Sequence, residues 1–255
     1  MKTIDLNCDL GESFGSFVMG NDELILPYLT SANIACGFHA GDPQVMYRTV
    51  QFAKENQVAI GAHPGFQDIQ GFGRRNLPLT PDEIFHLVLY QIGAMEAFCK
   101  AHQTTLHHVK PHGAMYNMAA TNYTLAYAIA RAVKVFAPSL ILYGLAGSEL
   151  IRAGEDLGLQ TASEGFADRT YQNDGTLTAR TQPNAVIHDV DVAVQQVLQM
   201  VEHGTVTSLD GEMVKLHVDT ICLHGDNEQA ILFAQQLHGQ LLHKGIQISK
   251  VEYAL

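Results

Sequence analysis

The chain has 255 residues, 47% of them hydrophobic, and carries 15 Lys and Arg against 26 Asp and Glu, which gives a formal net charge of -11 at pH 7. No stretch concentrates basic residues as a phosphate backbone would require, which argues against nucleic acid as a partner. The sequence offers neither the ~18 uninterrupted apolar residues of a membrane span nor the apolar core of a secretory signal, so we expect a cytoplasmic protein without a membrane partner. The length suits one barrel, and we predict a single domain over residues 1–255.

Short β-branched runs alternate with longer amphipathic segments along the whole chain, a pattern typical of βα units around a parallel sheet. The predicted strands are, in chain order, 2–6, 31–36, 57–62, 105–110, 139–143, 159–163, 217–223 and 246–248. Asp42 before Pro43 predicts one helix start, and Thr80, Pro81 and Glu83 predict a second one with a capping box. The sequence therefore predicts an α/β fold, and its length favours a single (β/α) barrel.

Two connections between the predicted strands are longer than a barrel needs. They cover 63–80 and 164–186 and are rich in Gly, Pro, Asp, Asn and Arg. Long loops of this composition usually carry function or remain mobile, and we expect one of these two roles for both.

Polar residues gather directly after the predicted strands. Their clusters occupy 9–12, 38–42, 63–68, 110–117, 164–169 and 224–227. The carboxyl ends of parallel barrel strands share one rim, where active sites are built, so six sequence-distant clusters should converge on one pocket. Glycine accompanies an ionisable side chain in the motifs NCDLGE at 7–12, GFHAGD at 37–42, GAHPGF at 61–66, KPHG at 110–113 and LHGDN at 223–227.

Imidazole and carboxylate groups at such a rim can act as acids, bases or metal ligands. The catalytic candidates are Asp9, Glu12, His39, His63, His112 and His224. The structural alternatives are that Asp9 or Glu12 caps the turn that follows, and that each histidine taken singly is a satisfied core or loop residue. Four histidines that repeat the same position relative to a strand favour the functional interpretation more than any one of them does.

The sequence contains neither a GxxxxGK[ST] phosphate loop nor a GxGxxG turn that opens a helix after a strand, so any nucleotide must be held in another way. The GFGRR segment at 71–75 and Lys110 place cations in glycine-flanked loops that could hold phosphate, although an exposed arginine pair is often only solvated. The candidates for binding substrate or phosphate are Lys110, Arg74, Glu164, Arg169 and Asp226.

The segments NCDLGE, ANIACGFHAGDP, VAIGAHPGF, GFGRR, HVKPHGAMYN, GLAGSEL, FADR and CLHGDN follow one another from about residue 4 to about residue 248. In this order they resemble the motifs of the bacterial 5-oxoprolinase A-subunit family, also called LamB/YcsF. The resemblance covers nearly the whole chain. It implies a distorted TIM-like (β/α) barrel similar to that of the polysaccharide deacetylases.

The resemblance also implies an activity and its ligands. With two further subunits, B and C, the family converts 5-oxoproline, ATP and water to glutamate, ADP and phosphate. ATP is thus the implied co-substrate, with Mg²⁺ accompanying it or a divalent ion bound at the rim. Deacetylase-like barrels often bind a divalent metal through one Asp and two His, and the implied ligands here are Asp9, His39 and His63. The HxxxH pair of the deacetylases is absent as such, because Pro43 follows His39 at that spacing.

Two other functions remain open at this point. A metal-dependent amidohydrolase or carbohydrate deacetylase would use the same rim residues without ATP. A non-catalytic regulatory component would only bind the small acid, although a binding site seldom needs so many groups that titrate near neutral pH.

Overall fold

The computed structural model describes residues 2–224 and 228–252. The strands in this part of the chain are β1 (Thr3–Leu10), β2 (Ser31–Ala35), β3 (Ala59–His63), β4 (Leu106–Val109), β5 (Ile141–Leu145), β6 (Thr161–Phe166), β7 (Thr205–Thr207), β8 (Met213–Lys215), β9 (Thr220–His224) and β10 (Gln247–Ile248). Strands β1 to β6 lie side by side in chain order, β9 follows β6, and β9 pairs back with β1. These seven strands are all parallel and close a barrel.

The remaining strands lie outside the barrel wall. Strand β10 pairs in parallel with the beginning of β1, and β7 and β8 form an antiparallel pair. The β7–β8 pair is absent from the sequence prediction, because two strands of three residues each are too short for their periodicity to be recognised.

Helices cover the outside of the barrel. They are α1 (Asp22–Ile25), α2 (Pro43–Glu55), α3 (Pro81–Ala101), α4 (Gly113–Thr121), α5 (Tyr123–Phe136), α6 (Glu149–Asp156), α7 (Val190–His203) and α8 (Glu228–His243), with 3-10 turns at Leu26–Tyr28 and Ile69–Gly71. Helices α2, α3 and α6 pack against the strands that flank them in the chain, and α5 packs on both α3 and α6. Within the described residues, none of the helices combines the length and apolarity that a bilayer crossing requires.

Both predicted helix starts are confirmed. Asp42 caps α2 by accepting the backbone N–H groups of Gln44 and Val45, each at 2.9 Å. Thr80 accepts the N–H of Glu83, whose carboxylate accepts the N–H of Thr80, and this pair of bonds forms the capping box of α3. A proline follows each cap, where its fixed φ suits the first helical turn.

Strand β1 extends to Leu10, well beyond its predicted end at residue 6, whereas the other predicted strands occur with ends shifted by a few residues. The prediction ended early because Asp5, Asn7 and Asp9 interrupt the apolar run. In the structure Ile4, Leu6, Cys8 and Leu10 are buried in the main hydrophobic cluster, while the polar residues alternate with them and bond to other strands. This alternation is the two-residue period of a strand with two different faces.

Hydrogen-bonded polar side chains cross the barrel. Asp5 is buried and accepts hydroxyl hydrogen bonds from Thr30 at 2.6 Å, Ser31 at 2.8 Å, Thr220 at 2.6 Å and Tyr143 at 3.2 Å. Burial raises the pKa of the Asp5 carboxyl, although these hydroxyl groups oppose the shift. Because the donors come from three segments of the chain, this carboxyl ties strands together through directional bonds.

Candidate active site

The carboxyl ends of the barrel strands open into a cleft of about 970 Å³. One wall consists of carboxylate, ammonium and imidazole groups from the rim, and the other consists of residues 72–76 and 174–181 from the two long connections. The candidates that line the cleft are Asp9, Glu12, His63, Arg74, Lys110, His112 and Arg169. Side chains that are far apart in the sequence therefore do meet at one rim.

Lys110 lies just beyond β4 in the rim wall. Its ammonium group donates to Asp9 Oδ1 at 3.0 Å and to Glu164 Oε1 at 2.7 Å, and it lies 3.1 Å from the sulfur of Cys222. Burial alone would favour the neutral amine, but the charges of the neighbouring carboxylates outweigh it and raise the pKa of Lys110 well above its usual value. Lys110 is thus a permanent cation between two carboxylates.

Glu164, in β6, is fully buried against Lys110. Its Oε1 also accepts from the Asn7 side chain at 3.0 Å, and its Oε2 accepts from the Tyr116 hydroxyl at 2.6 Å. Both oxygens are therefore engaged by side chains of the protein, and the carboxylate does not line the cleft. This geometry indicates that Glu164 positions Lys110.

Three histidines pack next to Asp9. His63 ends β3, His39 lies in the loop after β2, and His112 directly precedes α4. The His39 and His112 rings are stacked with centroids 3.7 Å apart and planes 4° from parallel, and the His63 ring stands edge-on to both. His63 Nε2 lies 2.9 Å from His112 Nδ1 and 3.2 Å from Asp9 Oδ2. Glu12 Oε1 lies 3.5 Å from His39 Nε2 and 3.7 Å from His112 Nδ1.

Backbone carbonyl groups fix the proton positions on two of these rings. His63 Nδ1 lies 2.7 Å from the Lys110 carbonyl oxygen, and His112 Nε2 lies 2.8 Å from the Phe72 carbonyl oxygen. A carbonyl oxygen can only accept, so His63 Nδ1 and His112 Nε2 donate. When both rings are neutral, the nitrogens that face each other, His63 Nε2 and His112 Nδ1, therefore carry lone pairs. Burial lowers the pKa values of His39 and His112 well below the usual value, which keeps both rings neutral near pH 7. Neutral imidazoles beside a carboxylate are a donor set that fits a divalent transition metal.

Groups from inside the barrel orient the Asp9 carboxylate. Asn33 donates to Asp9 Oδ1 at 2.9 Å and to Asn7 Oδ1 at 2.7 Å, and His108 Nε2 donates to Asn33 Oδ1 at 2.8 Å. Because the Asn33 amide nitrogen faces two acceptors, its oxygen must face His108, which places the proton of that ring on Nε2. Gly61 leaves the space for the ring, since a Cβ there would lie 2.1 Å from His108 Nε2.

Acid is expected to destabilise the protein partly through His108. Burial, followed by electrostatic interaction with His107 and Lys110, lowers the pKa of this ring well below its usual value. The unfolded chain therefore takes up a proton first as the pH falls below about 6.5, and this contribution to stability is present above that pH and lost below it. We expect His108→Gln to reduce the pH slope of the unfolding free energy between about pH 6.5 and 5 by up to about 1.4 kcal/mol per pH unit.

Urea unfolding at several pH values measures this slope. His86→Gln is the matched control, because His86 is an exposed histidine on α3 and should retain the wild-type slope. Equal slopes in wild type and His108→Gln would contradict the assignment of acid sensitivity to His108.

The two arginine candidates have different environments. The Arg74 guanidinium lies 4.9 Å from the centre of the Phe72 ring and lines the cleft. Arg169 donates to the carbonyl oxygens of Ala185 and Thr178, and burial lowers its pKa to about 10. Arg169 thus cross-links the connection after β6 as well as bordering the cleft, and its contact with substrate stays a prediction.

The expected position after a strand is wrong for four candidates. Asp9 lies within β1, Glu164 lies within β6, and His63 and His224 are the last residues of β3 and β9. Strands of this barrel continue into the rim, so their last residues carry site groups. The side chain of His224 and the whole of Asp226 lie outside the described residues.

Several polar residues that support the site are absent from the sequence prediction. They are Asn7, Asn33, His108 and Tyr116, which bond to Asp9, Lys110, Glu164 or to one another. The usable signal was the alternation of Asp5, Asn7 and Asp9, which places all three on one face of a strand. A buried face with three polar side chains requires polar partners from the neighbouring strands.

The chain is similar to known proteins along almost its whole length. The family model described as LamB/YcsF family matches residues 4–255. A protein of Geobacillus thermodenitrificans, named as the A subunit of 5-oxoprolinase, is 62% identical over 248 residues, which cover 97% of this chain and 96% of that protein. The crystal structure of the lactam utilization protein from Thermus thermophilus has a TM-score of 0.92 and 43% identity, covering 98% of this chain and 100% of that chain.

A more distant structure bears on the fold alone. The catalytic domain of a peptidoglycan N-acetylglucosamine deacetylase from Eubacterium rectale has a TM-score of 0.52 and 12% identity, covering 98% of this chain and 89% of that chain. The predicted barrel of the deacetylase type is therefore confirmed. With the family model matched along almost its whole length, the chain belongs to the LamB/YcsF family.

Proposed function

We propose that this chain is the A subunit of an ATP-dependent 5-oxoprolinase, which opens the lactam of 5-oxoproline to give glutamate while ATP is converted to ADP and phosphate. The observation that carries the proposal is 62% identity over 97% of the chain to a protein that bears the name of this 5-oxoprolinase component. The name of the Thermus thermophilus relative, a lactam utilization protein, supports the same substrate class.

The chemistry of a lactam explains why such a reaction needs ATP. A five-membered lactam is a resonance-stabilised amide, and direct attack by water would have to expel a poor nitrogen leaving group. Transfer of the ATP γ-phosphoryl group to the amide oxygen makes the ring carbon electrophilic. Water can then add to this carbon, the C–N bond breaks as the nitrogen takes up a proton, and a second water hydrolyses the resulting acyl phosphate to the carboxylate and inorganic phosphate.

Asp9 and Lys110 are suited to the water-addition step. The Asp9 carboxylate lines the cleft while Lys110 and Asn33 hold its Oδ1, so its Oδ2 is directed towards His63 as a base for water. The fixed charge of Lys110 can stabilise the negative charge that develops on oxygen. His63 Nε2 lies 3.2 Å from Asp9 Oδ2, so an imidazole borders the polar part of the rim where this water would bind.

The second wall of the cleft suits an anionic ligand. Arg74 lies there together with the hydroxyl-bearing Thr176 and Thr178, and Arg169 lines the cleft as well. 5-Oxoproline carries a carboxylate, and its phosphorylated form carries phosphate as well, so cationic and hydroxyl donors match both groups. We assign substrate binding to this wall and water activation to the rim.

Two partner subunits, B and C, and ATP are part of the proposal. The sequence has no phosphate loop, and the name of the relatives denotes one component of an assembly. We therefore expect the purified chain alone to release neither glutamate nor phosphate from 5-oxoproline and ATP at a useful rate.

Glutamate and phosphate release from 5-oxoproline tests this expectation. The assay is run with and without ATP, on the chain alone and on the chain mixed with its candidate partner subunits. Equal amounts of both products should form only in the complete mixture. Release by the isolated chain at the rate of the complete mixture would contradict the dependence on partners, and glutamate formation without ATP would contradict the ATP-coupled mechanism.

A metal-dependent amidohydrolase or carbohydrate deacetylase is the second candidate. The cluster of Glu12, His39, His63 and His112 favours it, because such enzymes use imidazole and carboxylate ligands. This alternative predicts that the chain alone, loaded with Zn²⁺, deacetylates an acetylated amino sugar without ATP. Absence of acetate release from the loaded chain would leave the lactam reaction as the supported function.

A further inference from the structure

We infer that Glu12, His39, His63 and His112 together bind one divalent ion of the zinc class, and that Asp9 is not among its ligands. This set keeps His39 and His63 from the sequence prediction and replaces Asp9 by a different carboxylate and a third imidazole. The inference concerns binding alone and holds whichever reaction the cleft performs.

The first argument is the spacing of the donor atoms. One ligand atom from each of the four side chains lies within 4.8 Å of every other. Three of these pairs are separated by 2.9 Å between His63 Nε2 and His112 Nδ1, 3.5 Å between His39 Nε2 and Glu12 Oε1, and 3.7 Å between His112 Nδ1 and Glu12 Oε1. Bonds of about 2.05 Å in a tetrahedral site place neighbouring ligands about 3.3 Å apart, so these three separations bracket the required value.

The second argument is the direction of the lone pairs. The carbonyl groups that accept from His63 Nδ1 and His112 Nε2 leave two lone pairs facing each other at 2.9 Å, which is repulsive unless a cation lies between them. A single proton could bridge that pair, but it could not also bond to His39. Both nitrogens of the buried His39 ring lack a hydrogen-bond partner among the described residues. One metal ion would accept a lone pair from each of the three rings.

The third argument is the rigidity of the cluster. A Cβ on Gly65 would lie 2.4 Å from His39 Nδ1, and a Cβ on Gly73 would lie 2.7 Å from the His39 Cβ and 2.9 Å from His112 Cδ2. Gly73 also has a φ of +63°, which side-chain-bearing residues rarely adopt. The backbone thus presses against the stacked rings and holds them in place before an ion arrives, which lowers the entropic cost of binding.

The donor types select the class of ion. Three imidazole nitrogens and one carboxylate oxygen suit Zn²⁺ and the neighbouring transition metals, whereas Mg²⁺ and Ca²⁺ prefer sites built from oxygen. The Mg²⁺ that accompanies a nucleotide is therefore not the expected occupant.

The spacing of the donor atoms leaves Asp9 out of the ligand set. Its Oδ1 accepts from Lys110 and Asn33, at 3.0 Å and 2.9 Å, and Asp9 does not belong to the group whose ligand atoms all lie within 4.8 Å of one another. Lys110 offsets part of the negative charge of Asp9. Glu12, by contrast, directs Oε1 at two of the three imidazoles.

Metal binding by the untagged, chelator-treated full chain tests the inference. Isothermal titration should give one Zn²⁺ per chain, and Co²⁺ should give the visible absorption of a four-coordinate site. Glu12→Gln and His112→Gln should each weaken Zn²⁺ binding by about 100-fold or more, whereas Asp9→Asn should change it by less than about tenfold. His86→Gln, at an exposed position on α3, is the matched control and should bind as wild type does.

X-ray absorption of the zinc-loaded wild type counts the imidazole ligands without any substitution, so the result does not depend on how well a variant folds. Three imidazoles would support the assignment, and two or fewer would overturn it. The absence of stoichiometric binding to wild type, equal competition by Mg²⁺, or a loss of binding in Asp9→Asn but not in Glu12→Gln would each overturn it as well. These measurements use neither ATP nor 5-oxoproline nor partner subunits, so their failure is distinct from a failure of the proposed function.

Discussion

Replacing Lys110 by methionine is expected to lower glutamate formation by the complete enzyme by about 10²- to 10³-fold, because the fixed cation at the rim is lost. The same change should reduce the free energy of unfolding by about 3–5 kcal/mol, since it leaves the buried carboxylate of Glu164 without its counter-ion. Product release by the reconstituted complex and urea unfolding of the chain measure the two effects.

The double variant Lys110→Met with Glu164→Gln separates activity from stability. Neutralising Glu164 removes the uncompensated charge, so most of the lost stability should return while activity stays low. Recovery of activity in the double variant would show that Lys110 acts only by stabilising the fold, and wild-type activity in the single variant would remove Lys110 from the site.

Asp9→Asn is expected to lower turnover by about 10²- to 10⁴-fold, the usual contribution of a positioned base. The free energy of unfolding should change by less than about 1 kcal/mol. The amide is isosteric, and its oxygen can still accept from Lys110 and Asn33. Steady-state turnover and thermal unfolding of the same preparation check both parts.

Asp22→Asn is the matched control for Asp9→Asn. Asp22 is also an acid near the end of β1, where it accepts from the Gly11 N–H at 2.9 Å and from the Thr49 hydroxyl at 3.1 Å, but it does not line the cleft. Its replacement should leave turnover within about twofold, a change of less than about 0.5 kcal/mol in the barrier. Near wild-type turnover in Asp9→Asn would remove Asp9 from the catalytic set, and a lost thermal transition would make its role structural.

The sequence predicted the architecture because the relevant signals are local. Apolar runs, capping residues and loop composition each depend on a few neighbouring positions, and Asp42 and Thr80 cap their helices as expected. The convergence of Asp9, His63 and Lys110 followed from topology, since parallel strands end at one rim.

The sequence could not predict which groups pair at that rim. Lys110 bonds to Asp9 and Glu164, which lie on β1 and β6, and such pairs depend on the closure of the barrel and on side-chain direction. The extent of β1 was misjudged for a related reason. Asp5 and Asn7 look like a strand end until their partners on other strands are known.

Each polar side chain inside the barrel bonds to several partners. A substitution at one of them should therefore be accepted in evolution only together with compensating substitutions at its partners. Asn7 bonds to Glu164, Thr220, Asn33 and Lys110, and any apolar replacement would leave buried partners unsatisfied at about 1–3 kcal/mol each. Mutational effects there should be strongly epistatic, whereas those on the exposed faces of the helices should add independently. Neutral substitutions should therefore accumulate on the outer surface of the molecule. The polar residues inside the barrel, which support the rim, should change only when several of them are replaced together.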